Sequence, residues 1–176
     1  MNIAYVMSEP RGLTDRVLTE AASRLEQAGL RLAGLVQVNT DCGPDKPCDM
    51  DVHVLPDGPV LRISQSLGRG ARGCRLDPGA LETAVAEIGR AMQDPADLLI
   101  LNKFGKHEAE GNGLRATIAE AVGRGIPVVT GVNARNHDAF VDFVAGAATR
   151  IPADPDAIVE WVMRQTGGAA LSTSAG

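Results

Sequence analysis

The chain has 176 residues, a formal net charge of −5, 44% hydrophobic side chains and only 3% aromatic ones. That length suits one domain with a sizeable core, and no apolar run reaches the ~18 residues that a membrane span needs. The acidic balance and scarcity of aromatic rings exclude a general nucleic-acid binder, which needs a basic face and stacking platforms; with no basic-then-apolar leader at the start, a cytoplasmic location is expected.

An apolar run over Ile3 to Met7 predicts a first strand, and Ser8-Glu9-Pro10-Arg11-Gly12 a breaker-rich turn after it. Leu13, Val17, Leu18, Ala21, Ala22 and Leu25 then recur at helical spacing up to Gly29. Leu32 to Val38 reads as a second strand with Gly34 as its weak point, so the chain begins with a strand-helix-strand unit typical of parallel sheets. Asn39 to Met50 is a long loop. Two short apolar runs, from Val52 and from Val60, flank Pro56-Asp57-Gly58-Pro59 and predict an inserted hairpin. After a glycine-rich loop, Asp77 can cap a helix that has Pro78 at its first position. Leu98-Leu99-Ile100-Leu101 is a strand buried on both faces, followed by a polar loop from Asn102 to Asn112. A helix near Leu114 to Val122, a strand over Ile126 to Thr130, a helix over Asp138 to Val144 and a last helix begun by Asp154 or Asp156 complete the pattern. The expected fold is a three-layer α/β sandwich with a mostly parallel sheet. Residues 1–166 should form a single domain and 167–176 a disordered tail.

Ligands of such sheets bind beyond the carboxyl ends of the strands, and three segments there carry candidate chemistry. The turn after the first strand offers Ser8, Arg11, Gly12 and Thr14 beside a helix amino end, where free N–H groups favour anions. Aligned on the phosphate-loop pattern, residues 7–14 place Gly12 and Thr14 correctly but put Leu13 where the lysine belongs. The simpler alternative is an ordinary turn capped by Thr14. The second segment, Asn102-Lys103-Phe104-Gly105-Lys106-His107-Glu108, follows the buried strand. Its Asn102, Lys103, Gly105 and Lys106 suit an oxyanion better than a hard divalent metal, while Glu108 can serve as a base or ligand. The third, from Ser64 to Arg75, sets Ser64, Gln65, Arg69, Arg72 and Arg75 among Gly70, Gly73 and other glycines, so guanidinium forks and backbone N–H groups can surround a tetrahedral anion. Each segment can equally be a solvated loop. Cys42, Cys48 and Cys74 form no C-x-x-C pair; Cys48 and Cys74 flank the hairpin and are read as inert thiols, with a soft-metal or redox site as the alternative.

Long blocks, among them Ile63-Ser64-Gln65-Ser66-Leu67-Gly68, Gly73-Cys74-Arg75-Leu76-Asp77-Pro78 and Asn102-Lys103-Phe104-Gly105-Lys106-His107-Glu108, resemble the bacterial family called domain of unknown function 2478 over about residues 2 to 150. The resemblance implies a context of molybdate handling. More distantly, the order of elements is similar to small P-loop nucleoside-triphosphatases, whose apolar strand ends in D-E-[IV]-G-x-x-E; Gly105 and Glu108 keep part of that signature, and Asn102-Lys103 replace its acidic pair. Both this change and Leu13 remove what magnesium-dependent hydrolysis requires. The expectation is therefore a degenerate P-loop-like protein that binds molybdate, tungstate, phosphate or a nucleotide without turnover, and has no resident metal. Two alternatives stay open: a nucleotide hydrolase in which Arg11 or Lys103 replaces the lysine and Glu108 orients water, and a docking partner in metalloenzyme maturation. A homo-oligomer is also open.

Overall fold

A computed structural model describes residues 2–10, 12–39, 50–65 and 76–167. Its strands are β1 (Ile3–Val6), β2 (Leu32–Asn39), β3 (Met50–Leu55), β4 (Val60–Arg62), β5 (Leu98–Phe104), β6 (Val128–Val132) and β7 (Thr149–Ile151). They form one seven-stranded sheet in the order β4-β3-β2-β5-β6-β1-β7. The helices are α1 (Leu13–Gln27), α2 (Pro78–Ala91), α3 (Lys106–Ala109), α4 (Arg115–Gly123), α5 (His137–Phe143) and α6 (Pro155–Gln165).

The strands from β2 to β7 along the sheet are parallel because helices carry the chain back between them. The hairpin β3–β4 adds two antiparallel strands beyond β2, so it prolongs the sheet at one edge. Alternation along β5 builds the layers. Leu98 and Ile100 join Val17, Leu18 and Leu25 of α1 and Ile158 and Trp161 of α6 in one core. Leu99 and Leu101 join Ile88 of α2, Ile118 of α4 and Phe140 of α5 in the other. Helices thus cover both faces of the sheet, which is the expected three-layer α/β sandwich.

Local rules explain the helix starts. Asp77 accepts from the N–H groups of Gly79 and Ala80 at 2.9 and 3.2 Å, with Pro78 opening α2. Asp154, not Asp156, caps α6 by accepting from Ala157 N at 3.0 Å. Gly34, which reads as a weak point of β2, is required there. Its φ is +119°, and a Cβ would lie 1.9 Å from the Ile100 carbonyl oxygen of β5.

Three elements differ from their sequence expectation. β5 does not stop at Leu101 but runs through Asn102 and Lys103 to Phe104, and the loop beyond contains α3. A register shift between Leu101 and Phe104 turns Phe104 into the α5-side core, where it is fully buried. β6 starts at Val128 rather than Ile126, because Pro127 precedes its ladder. β7 was not expected at all; three residues are too few for a periodic signal.

Candidate functional site

The carboxyl ends of β5, β6, β1 and β7 lie side by side, and the turn from β1 enters α1 among them. The amino end of α1 is closed by Gly12 in a left-handed conformation, φ +76°, and no side chain caps it. Thr14 is therefore not the helix cap; it sits one residue inside the helix, where its hydroxyl shares a 2.7 Å hydrogen bond with Ser8 across the turn. Leu13 N donates to the Pro10 carbonyl at 3.2 Å and Asp15 stands in the first turn, while no side chain caps the remaining N–H groups, an arrangement in which a helix amino end can favour an anion.

Beside it, Asn102 is buried at 3% exposure and ties three elements together. Its Oδ1 accepts from the Gln37 backbone N–H of β2 at 3.3 Å. A backbone N–H can only donate, so the amide oxygen must face it and the NH2 group must face the other way. Nδ2 then donates to Asp15 Oδ1 of α1 and to Gln37 Oε1, at 2.9 Å each. Thr19 completes the cluster by donating to the carbonyls of Asp15 and Gln37. These residues do not fit the magnesium ion that the fold implies. The amide places a donor against Asp15, whereas a hard cation needs oxygen lone pairs directed at it. Gly131 of β6 keeps this corner tight, since a Cβ there would meet the Asn102 carbonyl oxygen at 2.4 Å and Thr14 Cγ2 at 2.7 Å.

Glu108, only 4% exposed, turns back into its own loop. One carboxylate oxygen accepts from Gly105 N at 2.8 Å and the other from Leu114 N at 3.1 Å, while Arg115 donates to its backbone carbonyl. Both oxygens are thus engaged in holding the β5–α4 connection, which is an organising task rather than that of a free base. Gly113 leaves room for the carboxylate, because a Cβ would lie 2.3 Å from Glu108 Oε1.

Ser64 and Gln65 follow β4 at the same carboxyl edge of the sheet as Asn39 of β2, but β3, β2, β5 and β6 separate them from β1. Ser64 Oγ accepts from Met50 N at 3.0 Å, and Gln65 Nε2 donates to the Leu76 carbonyl at 3.0 Å, stitching β4's end to the start of α2. Lys106 is exposed and pairs with Glu110 within its loop. Arg11, Arg69, Gly70, Arg72, Gly73 and Arg75, with Cys42, Cys48 and Cys74 and the tail beyond 167, lie outside the described residues.

The partners of the cations set apart Lys103, which the sequence reading names, and Arg16, Arg135 and Arg150, which it misses. Among the described residues, Arg24, Arg31, Arg62, Arg90, Lys106, Arg124 and Arg164 are all ion-paired. Arg115 lies over the Phe143 ring at 4.3 Å as well as on the Glu108 carbonyl. Arg16, Lys103, Arg135 and Arg150 are exposed and have no ion pair or side-chain hydrogen bond. Lys103 is near the end of β5, Arg135 follows β6, Arg16 is in α1 next to its first turn, and Arg150 is in β7, paired in register with Tyr5 of β1. Lys103, Arg135 and Arg16 thus sit near the carboxyl ends of β5 and β6 and the start of α1, whereas Arg150 shares the face of Tyr5, opposite the face that α1 covers. Glu9 is an exposed carboxylate in the turn after β1, and Asp138 is another in the first turn of α5, 3.5 Å from His137 Nδ1.

The comparisons with known proteins bear on this edge. Residues 3–161 match the family described as protein of unknown function, DUF2478. The chain belongs to that family. It is 35% identical over 159 residues to a protein named molybdenum import ATP-binding protein ModC 2 of Bradyrhizobium diazoefficiens. That match takes in 90% of this chain but only 18% of the relative, so the DUF2478 chain spans less than a fifth of it. Its fold is similar to the solution structure of a human cancer-related nucleoside triphosphatase, with a TM-score of 0.61 at 14% identity and full coverage of both chains. The chain therefore shares the α/β fold of that nucleoside triphosphatase. Among the described residues, no helix is long and apolar enough to cross a membrane, and no three His, Cys, Asp or Glu side chains are grouped to hold a metal.

Proposed function

We propose that this protein binds an oxyanion or a phosphate-bearing ligand at the carboxyl edge of its sheet, without magnesium and without hydrolysing it. The observation that carries the reading is the amino end of α1, which no side chain caps, placed at the carboxyl ends of the strands where Lys103 and Arg135, without an ion pair among the described residues, also stand in an otherwise acidic chain. Clustered like charges repel one another, and an anion relieves that repulsion while accepting the helix N–H groups. Three further features support the reading that nothing is hydrolysed. Leu13 stands where a phosphate-loop lysine would be, and the Asp15–Asn102–Gln37 cluster spends its groups on one another. Glu108, with both oxygens on backbone N–H groups, is not placed to orient a water. The likeness to a molybdenum-import protein supports molybdate or tungstate among the candidate anions, and the P-loop fold supports a nucleotide.

Calorimetric titration in EDTA with molybdate, tungstate, phosphate, ATP and GTP tests the proposal. Saturable binding of at least one, with no phosphate released from the nucleotides, is the expected result. Silence for all five overturns it, and magnesium-dependent phosphate release overturns the non-hydrolytic part.

A second reading is favoured by one observation: the ModC 2 relative carries its matching stretch inside a much longer chain. A stretch that one ATP-binding import protein carries within its own chain can also dock onto the ATP-binding part of such a protein. Co-purification of this chain with a molybdate importer's ATP-binding subunit is the expected outcome; elution of the two as separate species removes this reading and leaves anion binding untouched.

A further inference from the structure

The hairpin β3–β4 contributes nothing to the anion site, and its two faces are covered unequally. On one face Val52 and Val54 of β3 and Ile63, just beyond β4, lie in the same core as Ala84 and Ile88 of α2. On the other face the pairing register sets Val36, His53 and Val60 in one row across β2, β3 and β4, and Val38, Asp51 and Arg62 in the next. The core built around α1 reaches Val36 and Leu55 on this face and includes neither His53 nor Val60. Val38, at 42% exposure, and Val60, at 61%, are the large hydrophobic side chains left exposed among the described residues, and both stand on this face. The spacing of strands and the rise along them put the two valines about 12 Å apart, close to the roughly 10–12 Å width of a helix with its side chains. A helix laid beside α1 would therefore continue the α1 layer over the hairpin.

The rim of this face indicates what such a helix carries. Glu26, late in α1, has one carboxylate oxygen shielded from water without a hydrogen-bond partner. Asp57 of the hairpin turn and His53 both lie near enough to act on that carboxyl. Arg62 pairs with Asp51 at the far end of the face, so the turn end sets two carboxylates against one imidazole. A lysine or arginine from the occupant would give the shielded oxygen the donor it lacks, while aliphatic side chains would cover the valines. The ModC 2 relative carries its match to this domain in a chain of which that match is only 18%. The domain thus occurs joined to further protein that can supply a helix.

We propose that the α1-side face of the hairpin, from Val38 to Val60 with Glu26 at its rim, docks an amphipathic helix of the importer's ATP-binding subunit, aliphatic residues resting on the valines and a lysine or arginine meeting Glu26. The proposal rests on the docking reading and names its surface. Calorimetric titration of the full chain with a molybdate importer's full-length ATP-binding subunit tests it. Val38→Asp and Val60→Asp should each weaken binding about tenfold or more, because the occupant would bury the new charge against aliphatic groups. Glu26→Gln should weaken it about threefold by removing the charge that the basic residue meets. Thr83→Asp, exposed on α2 at the opposite face, adds the same charge and should leave binding unchanged. Melting temperatures check folding; where an aspartate variant fails to fold, Val38→Thr or Val60→Thr decides, with an expected loss of about threefold. Valine variants that bind as wild type does, or a Thr83→Asp as weak as they are, overturn the proposal and leave docking to some other surface. Undiminished affinity in Glu26→Gln overturns the basic helix as the occupant. If wild type does not bind the subunit at all, the docking reading falls and this proposal with it, while anion binding is untouched.

Discussion

The cations on the body of the molecule and those on the carboxyl edge of the sheet obey different rules. On the body, Arg24 reaches Glu20 and Asp156, Arg31 forms a two-pronged pair with Asp97, and Arg62 pairs with Asp51 across the hairpin. Such exposed pairs contribute little to stability, and they leave the surface close to neutral locally. On the edge, Lys103, Arg135 and Arg150 form no ion pair among the described residues, and Asp15 of the first turn of α1 does not serve them. That carboxylate is held by the amide of Asn102 instead. The contrast teaches that, among the described residues, cations that keep no ion pair can stand out at one edge even in a chain whose net charge is −5.

The contrast is broken most severely by releasing the loop that carries the edge. In Glu108→Ala, the N–H groups of Gly105 and Leu114 lose a shared carboxylate in a buried setting, at a cost of about 3 kcal/mol. Glu108→Gln should retain one of the two bonds and lose roughly half as much. Urea unfolding reads both; equal stability of wild type and Glu108→Ala would show that the carboxylate does not organise the connection.

Asn102→Asp reverses the logic at the centre of the site. It places a second carboxylate against Asp15 and removes the NH2 donor, and the like charges should cost about 2 kcal/mol. Millimolar magnesium should return part of that loss, because two facing carboxylates are what a hard cation accepts. Wild type should show no magnesium effect on its melting temperature. A variant as stable as wild type in EDTA would mean that the amide is not holding Asp15.

Removing the edge cations singly sharpens the comparison. Lys103→Ala, Arg135→Ala and Arg150→Ala should each weaken anion binding about three- to tenfold and leave folding stability unchanged, since none of these side chains has a partner to lose. The affinity should also fall steeply with added salt. Arg24→Ala and Arg90→Ala, whose charges are already balanced, serve as controls and should leave the affinity as it was. If the controls weaken binding as much as the edge variants do, net charge rather than the edge is responsible.

How much of this was legible in the sequence follows from what each feature depends on. The α1 and α2 helices were readable because burial of one face imposes a spacing, and Asp77-Pro78 is a local start signal. Asn102 and Lys103 stood out by following a wholly apolar run, yet their polarity hid the fact that they remain in the strand. A polar side chain at a sheet's carboxyl end can be buried when a helix end and a neighbouring strand supply its partners, as Asp15 and Gln37 do here. Gln37 itself reads only as an interruption of an apolar stretch. Arg135 and Arg150 were not readable at all, because being unpaired is a relation between distant segments and leaves no pattern along the chain. Ser64 and Gln65 look like ligand-binding residues by type, but their bonds to Met50 and Leu76 depend on a pairing that spacing does not encode.

The body has its own unpartnered charge, and it should behave in the opposite way from the edge. Glu26, late in α1, has one carboxylate oxygen shielded from water with no hydrogen-bond partner. Burial pushes its carboxyl above the usual range, with Asp57 acting in the same sense and His53 against it. A carboxyl raised in the folded state binds its proton more tightly there than in the unfolded chain. Its contribution is therefore most favourable at low pH and is lost as pH rises from the ordinary value of 4.5 through the raised folded value. Glu26→Gln should gain up to about 1 kcal/mol at neutral pH and little at pH 4. The difference between the two proteins in urea midpoint, followed from pH 4 to 8, reads this directly. No ligand should abolish the gain, since nothing at the carboxyl edge touches Glu26; a gain that disappears when phosphate or nucleotide is added would tie this carboxylate to the anion site and erase the division between body and edge.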